Sequence, residues 1–367
     1  MMNRRGLLIG ATAATVTAGL ALGWSFANTG SMADYAAAAS QMRATLAERP
    51  QPIELVRYAA LAANGHNTQP WRFRVEEKRM VILPDFSRRT PIVDPDDHHL
   101  FASLGCAGEN LAIAAAARGR GGILHFEPDN DGAVVFEFGA DQSAEQALCD
   151  AIPLRQSTRA DYDGMAVPTA DLDRLAATAG LAGTEAVIVT DRRQIERILE
   201  LVVAGNSAQM ADAAFLRELK IWLRFNPAAA IRTGDGLSTA ASGNPAAPSW
   251  LGRLLFDVMF DVAAENDKYA RQIRSSAGLV VIGSAANDRA HWVQAGRASQ
   301  RFALQATALG LKQAFINQPA EVVSLRPELA GLVGMPGRRP DIVMRFGYGP
   351  SMPFSQRRPP SATLLLG

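Results

Sequence analysis

Two short stretches carry the residue types that could do chemistry. The first is Asn64-Gly65-His66-Asn67-Thr68-Gln69-Pro70-Trp71, three side-chain amides and an indole within eight residues. Amides at close spacing offer donors and acceptors to the edge of a planar polar ligand, and Pro70 fixes the backbone just before Trp71. Asn64 and Gly65 suit a helix end in the left-handed conformation. The second stretch is Arg155-Gln156-Ser157-Thr158-Arg159. Arg155 and Arg159 lie four apart, the spacing of one helical face, and two guanidinium forks can close on a phosphate-like dianion. Ser157 adds a hydroxyl and Gln156 an amide. A third cluster, Asp94-Pro95-Asp96-Asp97-His98-His99, invites a metal reading. Its residues are nearly all adjacent and cannot converge on one ion, so a helix-capping turn before Leu100 is the expectation. Cys106 and Cys149 are far apart and read as core residues. There is no Ser-His-Asp pattern, no Gly-x-Gly-x-x-Gly fingerprint and no phosphate loop.

The first stretch resembles the Ala-Pro-Ser-x-x-Asn-x-Gln-Pro-Trp signature of the nitroreductase family of flavin enzymes. Asn67, Gln69, Pro70 and Trp71 match it, while Ala63, Asn64 and Gly65 depart from the Pro-Ser-Ser version. Arg155-x-Ser157-x-Arg159, followed by Tyr162, resembles the family's second signature, Arg-x-Ser-x-Arg before an aromatic. The resemblance implies FMN as cofactor. Asn64, Gly65, Asn67 and Gln69 would serve the ring edge, and Arg155, Gln156, Ser157 and Arg159 the phosphate. Asn317 and Gln318, at the end of a strand reading, would act mainly through backbone N–H groups toward the flavin N5. The late pair Arg357-Arg358 would reach the phosphate. It further implies ping-pong electron transfer, with NAD(P)H one candidate donor and a small nitro- or quinone-like molecule the acceptor. No side chain need act as acid or base. The alternative is an FMN-binding or flavin-sequestering protein with little turnover, if a lid closes over the ring.

The elements that must position these residues repeat. Helix readings over residues 31–50 and 53–63 lead to strands at 71–75 and 80–83, a periodic helix at 100–118 ended by Gly119–Gly122, and strands at 123–126 and 134–138. Then Gly105 to Gly119 aligns without gaps on Gly296 to Gly310, and Val134–Gly139 aligns on Ile342–Gly347, in the same order. The expectation is an α+β, nitroreductase-like fold of two tandem degenerate copies forming an internal pseudo-dimer. Residues 28–150 would be the first copy and 151–367 the second. The two signatures stand in reverse of the usual family order, one per copy, so one FMN would bind across the internal interface. The segment 226–250 is rich in Gly, Ala, Ser and Pro and long for a structureless loop, so 226–265 reads as a lid or an insertion.

The chain has 367 residues, a net charge of +1 and 48% hydrophobic residues, enough for a large core and no electrostatic footprint for nucleic acid. At its start, Asn3-Arg4-Arg5-Gly6-Leu7-Leu8 precedes an apolar run to Leu22, with Ser25-Phe26-Ala27 after it. This resembles a twin-arginine export signal over residues 1–27. It implies a periplasmic or membrane-anchored protein that touches the membrane only through that segment.

Overall fold

The computed structural model describes residues 25–139, 143–259 and 261–365. The twin-arginine run lies outside them. Among the described residues no helix is long and apolar enough to cross a membrane.

Two four-stranded antiparallel sheets form the α+β frame. The first holds β1 (Trp71–Val75), β2 (Arg79–Pro84), β3 (Gly122–Glu127) and β4 (Ala133–Phe138), in the order β1-β2-β4-β3. A two-residue pair, β6 (Leu223–Arg224) with β7 (Leu237–Ser238), follows β5 (Thr184–Val189) along the chain. The second sheet joins β5 to β8 (Gly278–Ser284), β9 (Lys312–Phe315) and β10 (Pro340–Gly347), in the order β5-β8-β10-β9. In each sheet the first strand in sequence pairs with the second, the second with the fourth and the fourth with the third. In each, one long helix joins second to third: His98–Ala116 in one half, Arg289–Ala308 in the other. β8 and β10 are buried along their whole length. β8 is apolar up to Ser284, whereas β10 carries two buried charges with partners: Asp341 accepts from Ser284 Oγ at 2.7 Å and Arg345 Nη2 donates to Thr158 O at 3.0 Å.

The long helices cross at two glycines. A Cβ on Gly105 would lie 2.0 Å from the carbonyl oxygen of Val293, and one on Gly296 would lie 1.9 Å from that of Ala102. The sequence alignment puts Gly105 on Gly296 and Ala102 on Val293, so each contact is the image of the other. The polar pairs obey the same exchange. Arg301 Nη1 donates to Glu109 Oε1 at 2.8 Å, and Gln300 Nε2 donates to Asn110 Oδ1 at 2.7 Å. Glu109 aligns with Gln300 and Asn110 with Arg301. Such exchange is consistent with a two-fold contact.

Several local readings need correction. The first helix runs Met32–Met42 and the second Pro52–Ala59, both shorter than expected. Asn64 is extended, with φ −162°, and Gly65 is not left-handed. The left-handed positions are His66, Asn67 and Gln69, at φ 46°, 54° and 53°. Residues 155–159 form no helix. The segment is irregular, with Ser157 bridging to Gln313 beside β9, and this places both arginines without helical spacing. The 226–250 segment is not structureless: it contains helices Pro227–Thr233 and Thr239–Ser242 as well as β7. Asp94 caps the first long helix, Oδ1 and Oδ2 accepting from the backbone N–H groups of His99 and Leu100, each at 3.0 Å.

Candidate functional site

The turn after helix Pro52–Ala59 is built on its own amides. Asn64 Oδ1 accepts from the Gln69 N–H at 2.8 Å, and the Thr68 N–H bonds the Gly65 carbonyl at 2.9 Å. These closures hold three of the four residues 66–69 at positive φ, a strain that persists only where surrounding structure enforces it. The enforcement comes from the segment around Gly234 and Gly236. Asn67 Nδ2 donates to Gly236 O at 3.0 Å, Gln69 Nε2 to Gly234 O at 2.8 Å, and the Gly236 N–H to Asn67 O at 3.1 Å. Asp235 between them is held by Arg224 Nη2 at 2.6 Å and by Arg88.

Against this turn lies a small polar pocket of about 50 Å³ with four arginines in its wall, Arg43, Arg155, Arg159 and Arg357. None of the four pairs with a carboxylate among the described residues. Arg357 donates to Asn67 Oδ1 at 2.7 Å and to Ala60 O at 3.0 Å. Arg155 Nη2 reaches Leu61 O at 2.8 Å, while its Nε and the Nε of Arg43 have no partner. Burial, then mutual repulsion, pushes Arg43 down to about 9 and Arg357 well below its usual range. Burial alone lowers Arg155 to about 10, and lowers Arg159 as well. The groups still stay charged at neutral pH. A buried cluster of like charges with no counter-charge is costly, and an anion relieves it.

The polar pocket opens on a larger cavity of about 330 Å³, and Ala63, Asn64, His66, Ser157, Arg159 and Leu237 line both. That volume falls in the range of small-molecule sites, roughly 300–1,000 Å³. Asn317 and Gln318 stand in its wall, Gln318 with Oε1 unpartnered and Asn317 anchored by accepting from the Val343 N–H at 2.9 Å. The helices after β5 and residues 223–256 contribute apolar side chains, Met210, Phe215, Leu219, Leu223 and Phe256, interleaved with polar ones such as Asn206, Gln209 and Asn244. His66 is pushed down to about 4 by burial and by Arg159, so it is neutral at physiological pH.

The structure thus gathers Asn64, Gly65, Asn67, Arg155, Gln156, Ser157, Arg159, Asn317, Gln318 and Arg357 around two joined spaces. Gln156 does so while pinning the C-terminal segment, Nε2 to Met352 O at 3.0 Å. Gln69 and Arg358 line neither space. Gln69 is fully buried, and its Oε1 accepts from the Arg358 N–H at 2.9 Å. The Arg358 guanidinium turns to Ala362 O and Gln69 O. Arg43 and Glu321 had no sequence signal, and His66 and His99 stood in marked stretches without being given a role at this site. Arg43 sits in a plain polar helix reading, and Glu321 could be suspected only from its place one turn after Gln318.

Glu321 is half-buried in the cavity wall. Gln209 Nε2 donates to its Oε2 at 2.6 Å, and His99 Nε2 lies 3.5 Å from Oε1. Burial raises its carboxyl from 4.5 to about 7, with Asp94 raising it further and Gln209 and Arg326 opposing. The folded chain then keeps a proton the unfolded chain has lost. Stability therefore falls as pH rises from about 4.5 through about 7. Glu321→Gln is expected to remove about 2–3 kcal/mol of that fall. Denaturant unfolding at a series of pH values checks it: an unchanged pH slope would place the titration elsewhere.

No protein-family model matches the chain. It is 29% identical over 304 residues to a Mycobacterium tuberculosis H37Rv protein named "Putative NAD(P)H nitroreductase", covering 80% of this chain and 83% of that one. A second protein of that designation from the same strain, acg, is 26% identical over 321 residues, covering 84% and 91%. Among solved structures, the FMN-dependent nitroreductase NfnB of Mycobacterium smegmatis in complex with NADPH aligns at a TM-score of 0.37 and 14% identity, over 56% of this chain and 88% of that one. That superposition is too loose to define the fold.

Proposed function

We propose that this nitroreductase-family oxidoreductase holds one FMN, its phosphate among Arg43, Arg155, Arg159 and Arg357 and its ring in the adjoining cavity. One observation carries the reading: a carboxylate-free arginine pocket that opens directly on a cavity of ligand size. The donor set fits the group, since a phosphate dianion takes guanidinium forks and hydroxyls, and a flavin edge takes amides and backbone N–H groups. When bound, FMN supplies two-electron transfer between a donor and an oxidised acceptor. The chain's own residues orient and enclose. The left-handed turn presents Asn64 and Gly65, the strand end presents Asn317 and Gln318, and Leu237 covers the junction of the two spaces. The mixed apolar and polar wall suits a nitro- or quinone-like acceptor, and NAD(P)H, named for the relatives, is the first donor to try.

The reciprocal helix crossing and matching sheet orders support two tandem copies joined as an internal pseudo-dimer. They also support one site per chain. In the first half, residues 60–70 link helix Pro52–Ala59 to β1 and form the turn. In the second half only residues 180–183 link helix Thr169–Ala179 to β5. Arg301 fills that place, donating to Thr178 O at 2.8 Å and pairing with Glu109 and Glu145. Flavin titration is expected to saturate at one FMN per chain. Two would mean a second site that this geometry does not offer. Export by the twin-arginine route remains part of the proposal, since it would carry out a folded protein with its cofactor in place.

A second reading, flavin sequestration with little turnover, is favoured by the bonds that staple Gly234 and Gly236 over the turn. The test is the absorption spectrum of protein purified without added flavin, then anaerobic NADPH, then dithionite. Bleaching by NADPH supports the oxidoreductase. Bleaching by dithionite alone supports sequestration or another donor. No flavin after reconstitution would overturn both.

A further inference from the structure

We propose that helix Ser249–Met259 seats on a lipid bilayer surface, holding the wall of the 330 Å³ cavity against the membrane. The proposal does not depend on flavin binding. Trp250, Leu254 and Val258 fall at four-residue spacing on one stripe and are 51%, 53% and 74% exposed. Leu255 is exposed beside them. Phe26 adds to the face next to Ser25, and Ile221 next to Lys220, which pairs with Asp257 of the helix. These six are among only fourteen large exposed apolar side chains in the described residues, so the exposure is concentrated here rather than scattered.

The occupant is argued from where the chain enters. Trp250 Nε1 donates to Ser25 Oγ at 3.0 Å. Immediately before Ser25 come 24 residues that include the apolar run from Leu7 to Leu22. If that run enters lipid, the chain joins the folded protein at this very face. A helix with a Trp, aliphatic side chains and an exposed Arg253 matches the chemistry of interfacial helices, the guanidinium reaching headgroup phosphates. The same helix turns Phe256 into the cavity and packs Gly252 against Phe225. Docking would bring an apolar acceptor dissolved in the bilayer to within one helix thickness of the cavity.

The test uses the full chain with Trp24→Phe, mixed with phosphatidylcholine–phosphatidylglycerol vesicles carrying brominated acyl chains. Bromine quenches only an indole at the lipid. Trp71, Trp222 and Trp292 are buried, so most quenching is expected from Trp250 and to vanish in Trp250→Phe. Leu254→Glu with Val258→Glu is expected to cut the Trp250 quenching several-fold. Its circular dichroism and melting should be unchanged, because both side chains are exposed. The proposal is overturned if the chain does not bind vesicles, or if it binds with Trp250 unquenched. It is equally overturned if the double glutamate variant converts a dimer to a monomer by light scattering, since a second copy would then cover the face.

Discussion

Gly296→Leu leaves no folded protein. A Cβ at this position would meet the Ala102 carbonyl oxygen at 1.9 Å and its carbon at 2.6 Å, both backbone atoms that no rotamer change can move. The two long helices must part, and the sheets packed on them must follow. Strain of this kind exceeds the usual overpacking cost of about 1–3 kcal/mol and approaches the whole stability of a domain, about 5–15 kcal/mol. Gly296→Ala is the milder probe, expected to cost about 3–5 kcal/mol. Gly105→Ala should cost the same within error, because its Cβ would meet Val293 O at 2.0 Å in the mirrored contact. The double variant should cost less than the sum, since helices parted by one methyl have made room for the other. Gly331→Ala is the control: nothing lies within 4 Å of its Cβ and it sits in helix Arg326–Leu332, so the change should be neutral or stabilise by about 0.5–1 kcal/mol. Denaturant unfolding of the four variants decides it. Unequal costs at Gly105 and Gly296 would break the proposed two-fold.

That crossing was legible in the sequence because a close helix approach demands glycine, and the gapless alignment put Gly105 on Gly296. β10 was legible for a related reason: its centre, Ile342-Val343-Met344, is covered on both faces and is apolar, while the buried Asp341 and Arg345 are held by hydrogen bonds that the sequence does not announce. What escaped was set by tertiary bonds rather than by residue type. Asn64 and Gly65 have the composition of a left-handed turn, yet His66, Asn67 and Gln69 take that conformation. They do so because Asn64 Oδ1 closes on Gln69 and the segment around Gly234 and Gly236 bonds Asn67 and Gln69. The four-residue spacing of Arg155 and Arg159 suggested a helix, but the segment is tied to Gln313 by the Thr158 N–H at 2.8 Å and by Gln313 Nε2 to Gln156 O at 3.0 Å. Arg43 had no motif at all; it reaches the pocket because its guanidinium stacks 4.2 Å from the Phe354 ring, a contact across the whole chain.

Arg159→Ala is expected to weaken FMN binding sharply while leaving the ligand-free fold as stable as before, or more so. The two effects have opposite physical origins. Toward a phosphate dianion, a guanidinium supplies charge-assisted hydrogen bonds of about 1.5–3 kcal/mol each. Losing one or two of them weakens affinity about 10- to 10⁴-fold. Without ligand, the same guanidinium pairs with no carboxylate among the described residues and shares its pocket with Arg43, Arg155 and Arg357. Removing it ends the cost of desolvating its charge and its repulsion of Arg345. Arg155→Ala should weaken binding comparably but lower stability, because it gives up the bond to Leu61 O. Arg159→Lys should recover the charge but not the fork, and so only part of the affinity. Fluorescence titration with FMN and unfolding of the ligand-free variants measure both quantities. An arginine that serves only packing would lower stability and affinity together. A fall in affinity with stability held or raised is the signature of a group kept for an anion.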